Sequence, residues 1–249
     1  MWRGGRVLIL VAHPDDETLA CGGEMEHWPG CLIVHTTTGS PRDVKYARDA
    51  GFASQAEYAE ARQRELACSL SHVGGRETAN LGLTDQESWR DLAFLTRRVK
   101  TLIEEINPAA IVTHPYEGGH PDHDAAAFAV QHSCTQLGSA APVRIEGAFY
   151  NRFGGQFQTN RFLPGVPETE IELASKTQTR KEKMFACFAS QSSVLALFST
   201  SVERFRFAPE YVFSQPAHEG PLNYETLGWG ITSAMWIESV RQAEAELAG

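Results

Sequence analysis

Six consecutive apolar residues, Val7-Leu8-Ile9-Leu10-Val11-Ala12, run directly into the polar segment His13-Pro14-Asp15-Asp16-Glu17. An unbroken apolar run of this kind reads as a strand covered on both faces, the situation of a central strand in a parallel sheet. Parallel neighbours need crossovers, and the chain supplies them. A helix is expected from near Glu17 to about His27, then a second strand over Cys31–His35 that ends in the turn Thr38-Gly39-Ser40. Residues 41–53 are polar and show no period. A helix follows from Ser54, a candidate N-cap, to about Val73, and Thr78–Leu81 reads as a short third strand. Leu92, Leu95, Val99, Leu102, Ile103 and Ile106 have helical spacing within 91–106, and Asn107-Pro108 ends that helix.

Ala109–Thr113 is the fourth strand. A Gly-rich loop over 115–119 then leads into His120-Pro121-Asp122-His123, which opens an Ala-rich helix running to about Leu137. Ile145–Tyr150 reads as a fifth strand. Beyond it the pattern is less regular, with a strand near Glu170–Leu173, a helix over about Lys176–Ala189 and an aromatic-rich tail. The order predicts an α/β fold: a Rossmann-like three-layer α/β/α sandwich with a mostly parallel sheet and a less regular C-terminal extension. No repeat or low-complexity linker divides the chain. One domain over 1–249 is expected, with 1–150 the core metal-binding unit and 151–249 a lid or subunit-contact segment.

A formal net charge of −9 and the lack of a basic run argue against a nucleic-acid partner. Val7–Ala12 is shorter than a signal-peptide core or a bilayer span, so neither export nor membrane insertion is expected. Cys21, Cys31, Cys68, Cys134 and Cys187 are odd in number and never form a C-x-x-C pair, which predicts free buried thiols in a reducing cytoplasm.

The two polar segments that follow the first and fourth strands carry the chemistry. In a doubly wound sheet these strands are neighbours, and their carboxyl ends border the usual binding crevice. His13, Asp16 and His123 would then form a His-His-Asp set suited to a catalytic zinc ion with an open position; iron(II) fits the same donors. Asp15, beside Asp16 but pointing elsewhere, is the candidate general base. His120, one turn before His123, is the candidate donor to a developing oxyanion or to a leaving amine. Taken singly, each motif has an ordinary structural explanation, helix N-terminal acids or one His pair. Their joint placement after neighbouring strands favours metal.

AHPDDE at 12–17 and GHPDH at 119–123 resemble the two signature motifs of the PIG-L/LmbE-like family of zinc-dependent N-deacetylases. Thr38-Gly39, Arg62-x-x-Glu65, Leu81-Gly82-Leu83-x-Asp85 and Ser190-Gln191 are weaker likenesses. The resemblance implies zinc on His13, Asp16 and His123, Asp15 as base, His120 on the oxyanion side, and removal of acetyl from an N-acetylglucosamine-containing small molecule. It also implies a substrate-holding role for Arg62, whose fork geometry suits polar ligands. Asp122 reads as a supporting or capping carboxylate. His35, His114 and Glu117 are candidate cleft residues; for His114, directly after the fourth strand, a hydrogen-bonded structural role is favoured.

The tail departs from the family pattern. Residues 216–225 join turn formers to His218, Glu219 and Glu225, and His218 is a further candidate substrate contact. Trp229, Met235 and Trp236 follow, and such aromatics stack on sugars or close a core; the core is favoured. A homo-oligomer is one use for this segment. Two rivals remain: a metal-dependent amidase acting on a thiol conjugate or antibiotic intermediate, and a non-catalytic Rossmann-type binding protein. The second is disfavoured because no G-x-G-x-x-G follows the first strand.

Overall fold

The computed structural model describes residues 4–249. In chain order the elements are β1 (Val7–Val11), α1 (Asp16–Cys21), β2 (Leu32–Pro41), α2 (Val44–Asp49), α3 (Gln55–Ser71), β3 (Glu77–Asp85), α4 (Leu92–Ile106), β4 (Ala110–Thr113), α5 (Pro121–Leu137), β5 (Val143–Gly147), β6 (Tyr150–Asn151), β7 (Gln158–Thr159), β8 (Thr169–Glu172), α6 (Ser175–Ala186), α7 (Ser192–Leu195), β9 (Val202–Phe207), α8 (Asn223–Thr226) and α9 (Ser233–Ala248). The main sheet runs β3-β2-β1-β4-β5-β9-β8. β1 to β5 pair in parallel, whereas β9 and β8 close one edge antiparallel.

Period-two alternation along the central strands divides the core into two layers. Leu8, Leu10, Val34 and Ile111 face α4, α5 and α9. Val7, Ile9, Val11, Ile33 and Val112 face the layer that holds Leu19, Leu66, Leu70 and Phe188. α5 is buried nearly all round, and the small residues Ala125, Ala126, Ala127 and Ala129 keep it slim where it packs between the sheet and α4.

The structure corrects several boundaries. α1 stops at Cys21, and a separate 3₁₀ turn, Glu24–His27, covers the rest of the expected first helix. β2 does not end at Thr38-Gly39-Ser40. Gly39 takes φ +67° and the ladder to β3 shifts register on either side of Thr37, so the turn former is absorbed as an irregularity and pairing continues to Pro41↔Asp85. The unperiodic stretch after it contains α2. β5 ends at Gly147, and Tyr150 belongs to the small β6–β7 hairpin.

The longest tail elements missing from the sequence reading are β9 and α9. β9 hides its pattern because Glu203 and Arg206 are buried in ion pairs rather than solvated. α9, capped by the Thr232 side chain, buries Trp236, Val240 and Ala243 in the α4/α5 layer. The thiols also differ from expectation. Cys21, Cys31 and Cys134 are buried and free, but Cys68 and Cys187 form a disulfide, because α3 packs against α6 and brings their Cα atoms to 5.7 Å. Among the described residues no helix is long and apolar enough to cross a membrane.

One buried ion pair ties the antiparallel edge to the central layer. Lys181 Nζ donates to Glu203 Oε1 at 2.6 Å and to the Leu19 carbonyl at 3.0 Å, while Glu203 also accepts from the amides of Gly23 and Glu24. Lys181→Met removes the cation and leaves a buried carboxylate uncompensated. Denaturant unfolding should record a loss of about 3–5 kcal/mol; an unchanged midpoint would mean that Glu203 is held by its amide bonds alone.

Candidate metal centre

The loop after β1 is a tight turn wound around Asp16. The His13 amide donates to Asp16 Oδ2 at 2.7 Å, and the Asp16 amide returns to the His13 carbonyl at 3.1 Å. Asp15 lies between them at φ 138°, a conformation that strains any residue with a Cβ. Three groups hold it there. Glu17, fully buried and 3.0 Å from His35 Nε2, accepts the Asp15 amide through the same oxygen. Arg62 donates to the carbonyls of Pro14 and Gly39 and stands 3.1 Å from Asp15 Oδ2. Gly39 leaves room for that clamp, since a Cβ there would sit 2.8 Å from Pro14 Cδ and 3.0 Å from Arg62 Cζ.

The loop after β4 delivers the second motif. His120 is the N-cap of α5; its Nδ1 accepts the Asp122 amide, and Pro121 fills the first helical position. A ring whose Nδ1 accepts a peptide hydrogen carries its own proton on Nε2. His120 therefore presents a donor toward the cleft, with Asp85 Oδ1 3.6 Å away. Burial, reinforced by the nearby His13 charge, holds the His120 pKa well below its ordinary value, so the ring is neutral.

Asp16 lies between His13 and His123, each nearest a different carboxylate oxygen. Asp16 Oδ2 is 3.1 Å from His13 Nδ1, and Asp16 Oδ1 is 3.4 Å from His123 Nε2. Donor atoms fall within 4.8 Å of one another in three overlapping groups here, His13 with His120 and His123, Asp16 with His114 and His123, and His13 with Asp85, His120 and Asp122. Ligands held about 2.0–2.1 Å from one tetrahedral ion stand roughly 3.3 Å apart, so these separations suit a shared ion. His123 Nε2 is buried and has no hydrogen-bond partner. Asp122 stands 3.2 Å from His13 Nε2, which leaves His13 Nδ1 as the coordinating atom and gives the ring the supporting carboxylate usual for metal-binding histidines.

Burial opposes the charge on Asp16, but the imidazoles of His123, His114 and His13 outweigh it and hold the carboxyl well below its ordinary range. Burial likewise works against charge on His13, yet Asp85, Asp16 and Asp122 raise that pKa well above the usual imidazole value. Burial pushes Asp15 up to about 8 despite the Arg62 guanidinium. The cluster of imidazoles and carboxylates fits a divalent metal site.

His114 sits beside the cluster, 3.4 Å from Asp16 Oδ2, stacked on His123 at 3.8 Å between ring centroids. Its Nε2 accepts the Ala12 amide at 2.8 Å, so that lone pair is occupied, and burial lowers its pKa to about 3. In that position it braces the end of β1 against β4, while its Nδ1 is buried without a hydrogen-bond partner and the residue groups with Asp16 and His123.

A cleft of about 350 Å³ opens over these residues. Its walls include Arg62, Tyr58, Gln191, Asp85, Tyr46, Asp49 and Trp229. Glu117 is not among them. It is buried beside the Arg206 guanidinium (3.0 Å) and accepts from Asn151 and the Leu163 amide; burial, against the pull of Arg206, pushes its carboxyl up to about 6. His218 is also placed elsewhere, half-buried with Nδ1 2.8 Å from the Glu219 carbonyl oxygen and its ring edge-on to Phe153. His35 lies behind the site as the partner of Glu17.

Asp85 is the main residue missed. It lies 3.1 Å from His13 Nε2, and both His13 and His120 outweigh its burial and depress its pKa. The available signal was its position at the end of β3, after Leu81-Gly82-Leu83. Of the tail aromatics, Trp236 is core, while Trp229 leans on His120 with ring centroids 4.7 Å apart.

Fold and site together define a three-layer α/β protein with a buried His-Asp cluster, suited to a metal ion, at the carboxyl ends of two adjacent parallel strands. The chain belongs to the PIG-L family, described as GlcNAc-PI de-N-acetylase, which matches residues 8–134. It is 31% identical over 53% of its length to the probable N-acetyl-α-D-glucosaminyl L-malate deacetylase 2 of Bacillus cereus. It is 28% identical over 66% of its length to the 1D-myo-inositol 2-acetamido-2-deoxy-α-D-glucopyranoside deacetylase of Rhodococcus erythropolis. In each case the match spans 61% of the relative's own length. Among solved structures, the deacetylase of teicoplanin biosynthesis superposes with a TM-score of 0.63 at 14% identity, over 83% of this chain and 100% of that one. The 4-carboxy-2-hydroxymuconate hydratase GalB of Pseudomonas putida superposes at 0.54 and 14% identity, over 84% and 98%. These structural likenesses describe the fold, which carries more than one reaction.

The roles of the two neighbouring histidines separate experimentally. His123→Gln should abolish metal retention after dialysis, whereas His114→Gln, which keeps an acceptor for the Ala12 amide, should retain it, as read by elemental analysis. Metal loss from both variants would place His114 among the ligands.

Proposed function

We propose that this chain is a metal-dependent hydrolase that removes the acetyl group from an N-acetylglucosamine-containing small molecule. The observation that carries the proposal is the buried, unpartnered Nε2 of His123 facing Asp16 and His13, with Asp15 and His120 beside them under an open cleft. His13, Asp16 and His123 would hold the ion. Two imidazoles and one carboxylate suit zinc, and iron(II) fits the same donors. When bound, the ion supplies Lewis acidity toward a carbonyl oxygen and makes water more acidic. Family membership and the relatives' names support acetamide hydrolysis on a glucosamine unit.

Asp15 is the general base. It is excluded from the ligand set by its strained backbone, which turns its carboxylate toward Arg62, and its raised pKa suits a group that takes a proton from water and later returns it to the departing amine. His120 donates from Nε2 to the oxygen that gains charge as the acetamide carbonyl becomes tetrahedral. The bond from the Asp122 amide to Nδ1 favours this role over protonation of the amine, because a doubly protonated ring would lose its helix-capping contact. Arg62 acts chiefly by fixing the Pro14–Asp15 turn, and Asp122 by orienting His13 and holding the Gln86 and Ser88 amides.

Asp15→Asn should keep its metal and lose about 10²–10⁴ in turnover of an N-acetylglucosamine conjugate, measured as acetate release. His120→Ala should lose about 10²–10³ with metal content unchanged. An Asp15→Asn variant nearly as active as the parent would remove the base assignment.

A further inference from the structure

The Cys68–Cys187 bond joins α3, which brings Tyr58 and Arg62 to the cleft, to the chain that brings Ser190, Gln191, Ser193 and Val194 to its opposite wall. Cys187 caps the C-terminus of α6, and the chain then passes through Phe188 into a 3₁₀ turn, Ala189–Gln191, and α7. Phe188 and Leu195 are buried at the two ends of this stretch, whereas Ala189, Ser192, Ser193 and Val194 between them are exposed. Polar bonds hold the wall to α3. Glu65 accepts the Ser190 amide at 2.8 Å and its hydroxyl at 2.6 Å, and Gln191 donates to the Tyr58 hydroxyl. All are only partly buried, and such bonds contribute little net stability each. The disulfide is the covalent tie.

That tie is placed where a thiol can reach it. Cys68 is exposed and Cys187 half-buried, while Cys21, Cys31 and Cys134 are buried. One ring nitrogen of His72 lies within 4.8 Å of both sulfurs. Cys68 stands in the last turn of α3 and Cys187 at the end of α6, positions where the helix dipole disfavours a thiolate. A neighbouring imidazole offsets this, because a cation beside the sulfur stabilises its anion. Accessible disulfides of this kind are the ones that exchange with thiols.

We propose that Cys68–Cys187 is a thiol–disulfide exchange site for a low-molecular-weight thiol, that its state sets the rigidity of the cleft wall over 189–194, and that His72 stabilises the departing thiolate. The thiolate of the small thiol attacks the exposed Cys68 sulfur. A bond forms between these two sulfurs, the Cys68–Cys187 bond breaks, and the electron pair leaves on the Cys187 sulfur beside His72. A second small thiolate then attacks the small-molecule sulfur of the mixed disulfide, forming the small disulfide and releasing Cys68 as thiolate. Two small thiols are oxidised, and the protein disulfide takes up their two electrons and two protons. With the bond closed the wall is pinned to α3. With it open the wall opens locally about its buried ends, Phe188 and Leu195.

Glutathione, added to the folded protein at graded ratios of thiol to disulfide, is the probe. Alkylation read by mass spectrometry should show Cys68 and Cys187 converting together through a glutathione adduct on Cys68, with Cys21, Cys31 and Cys134 protected until denaturant is added. Amide hydrogen exchange over 189–196 should quicken by about tenfold or more in the dithiol form, a fraction of what a disulfide cross-link contributes. The double variant Cys68→Ser, Cys187→Ser should show the fast exchange with or without glutathione. His72→Ala should slow adduct formation severalfold; an unchanged rate removes His72 from the proposal. Equal exchange over 189–196 in both forms, or exposure of the three buried thiols on reduction, overturns it. On an N-acetylglucosamine conjugate the dithiol form should raise KM with kcat little changed. That last readout alone rests on the deacetylase reading, so acetate release from neither form would overturn that reading while the exchange measurements still decide this one.

Discussion

The parallel pairing of β1 with β4 is the contact on which the site depends. Leu8 lies opposite Ile111 and Ile9 opposite Val112, so the two strands end side by side. Their following helices then part. α1 turns into the layer containing Leu19 and Ala20, while α5 packs into the opposite layer through Ala125, Phe128 and Ala129. A crevice opens where consecutive crossovers leave a parallel sheet toward opposite faces. His13 and Asp16 stand on one lip, His120 and His123 on the other, and the hydrogen bond from Ala12 to His114 locks the lips together.

Concentrating this many ionisable groups in a dry site is expensive, and the surrounding structure shows how the cost is met. Almost every charge is given a partner: Asp122 takes two amides and a hydroxyl, Arg62 two carbonyls and a carboxylate, Glu17 an imidazole and a backbone amide. The exceptions are informative. His123 Nε2, Arg62 Nε and His114 Nδ1 are buried and unsatisfied by hydrogen bonds, and His123 and Arg62 line the same cleft as the Asp15 turn. Strain at Asp15 belongs to the same economy, since a strained residue persists only where neighbours over-determine its conformation.

The parts of this arrangement that were legible in the sequence are those with one dominant physical cause. Val7–Ala12 and Ala110–Thr113 announce themselves by uninterrupted burial, and α5 begins at Pro121 and ends at Leu137 as its capping residues imply. Tyr58 comes to the cleft from α3 with no local mark of its destination, whereas Asp85 and Trp229 stood in segments singled out in the sequence without a role that placed them there. Glu117 shows the converse: a polar loop residue beside a motif points into a buried ion network because Arg206 of β9, distant in sequence, waits there. β9 escaped notice for the same reason, its charges being partnered inside. α9 was readable, with Trp236, Val240 and Ala243 at helical spacing, but its abundant turn-forming neighbours obscured the start. The Cys68–Cys187 bond depends on the docking of α3 against α6, a tertiary event with no trace in spacing.

The proposed chemistry requires one ion shared by both lips of the crevice. Crystals of the zinc-loaded protein, measured on both sides of the zinc absorption edge, give an anomalous difference map that tests it directly. A single strong peak is expected within about 2.0–2.3 Å of His13 Nδ1, an Asp16 carboxylate oxygen and His123 Nε2, with Asp15 and His114 outside coordinating distance. A peak bound instead through His114, or one contacting residues of only a single lip, would contradict it.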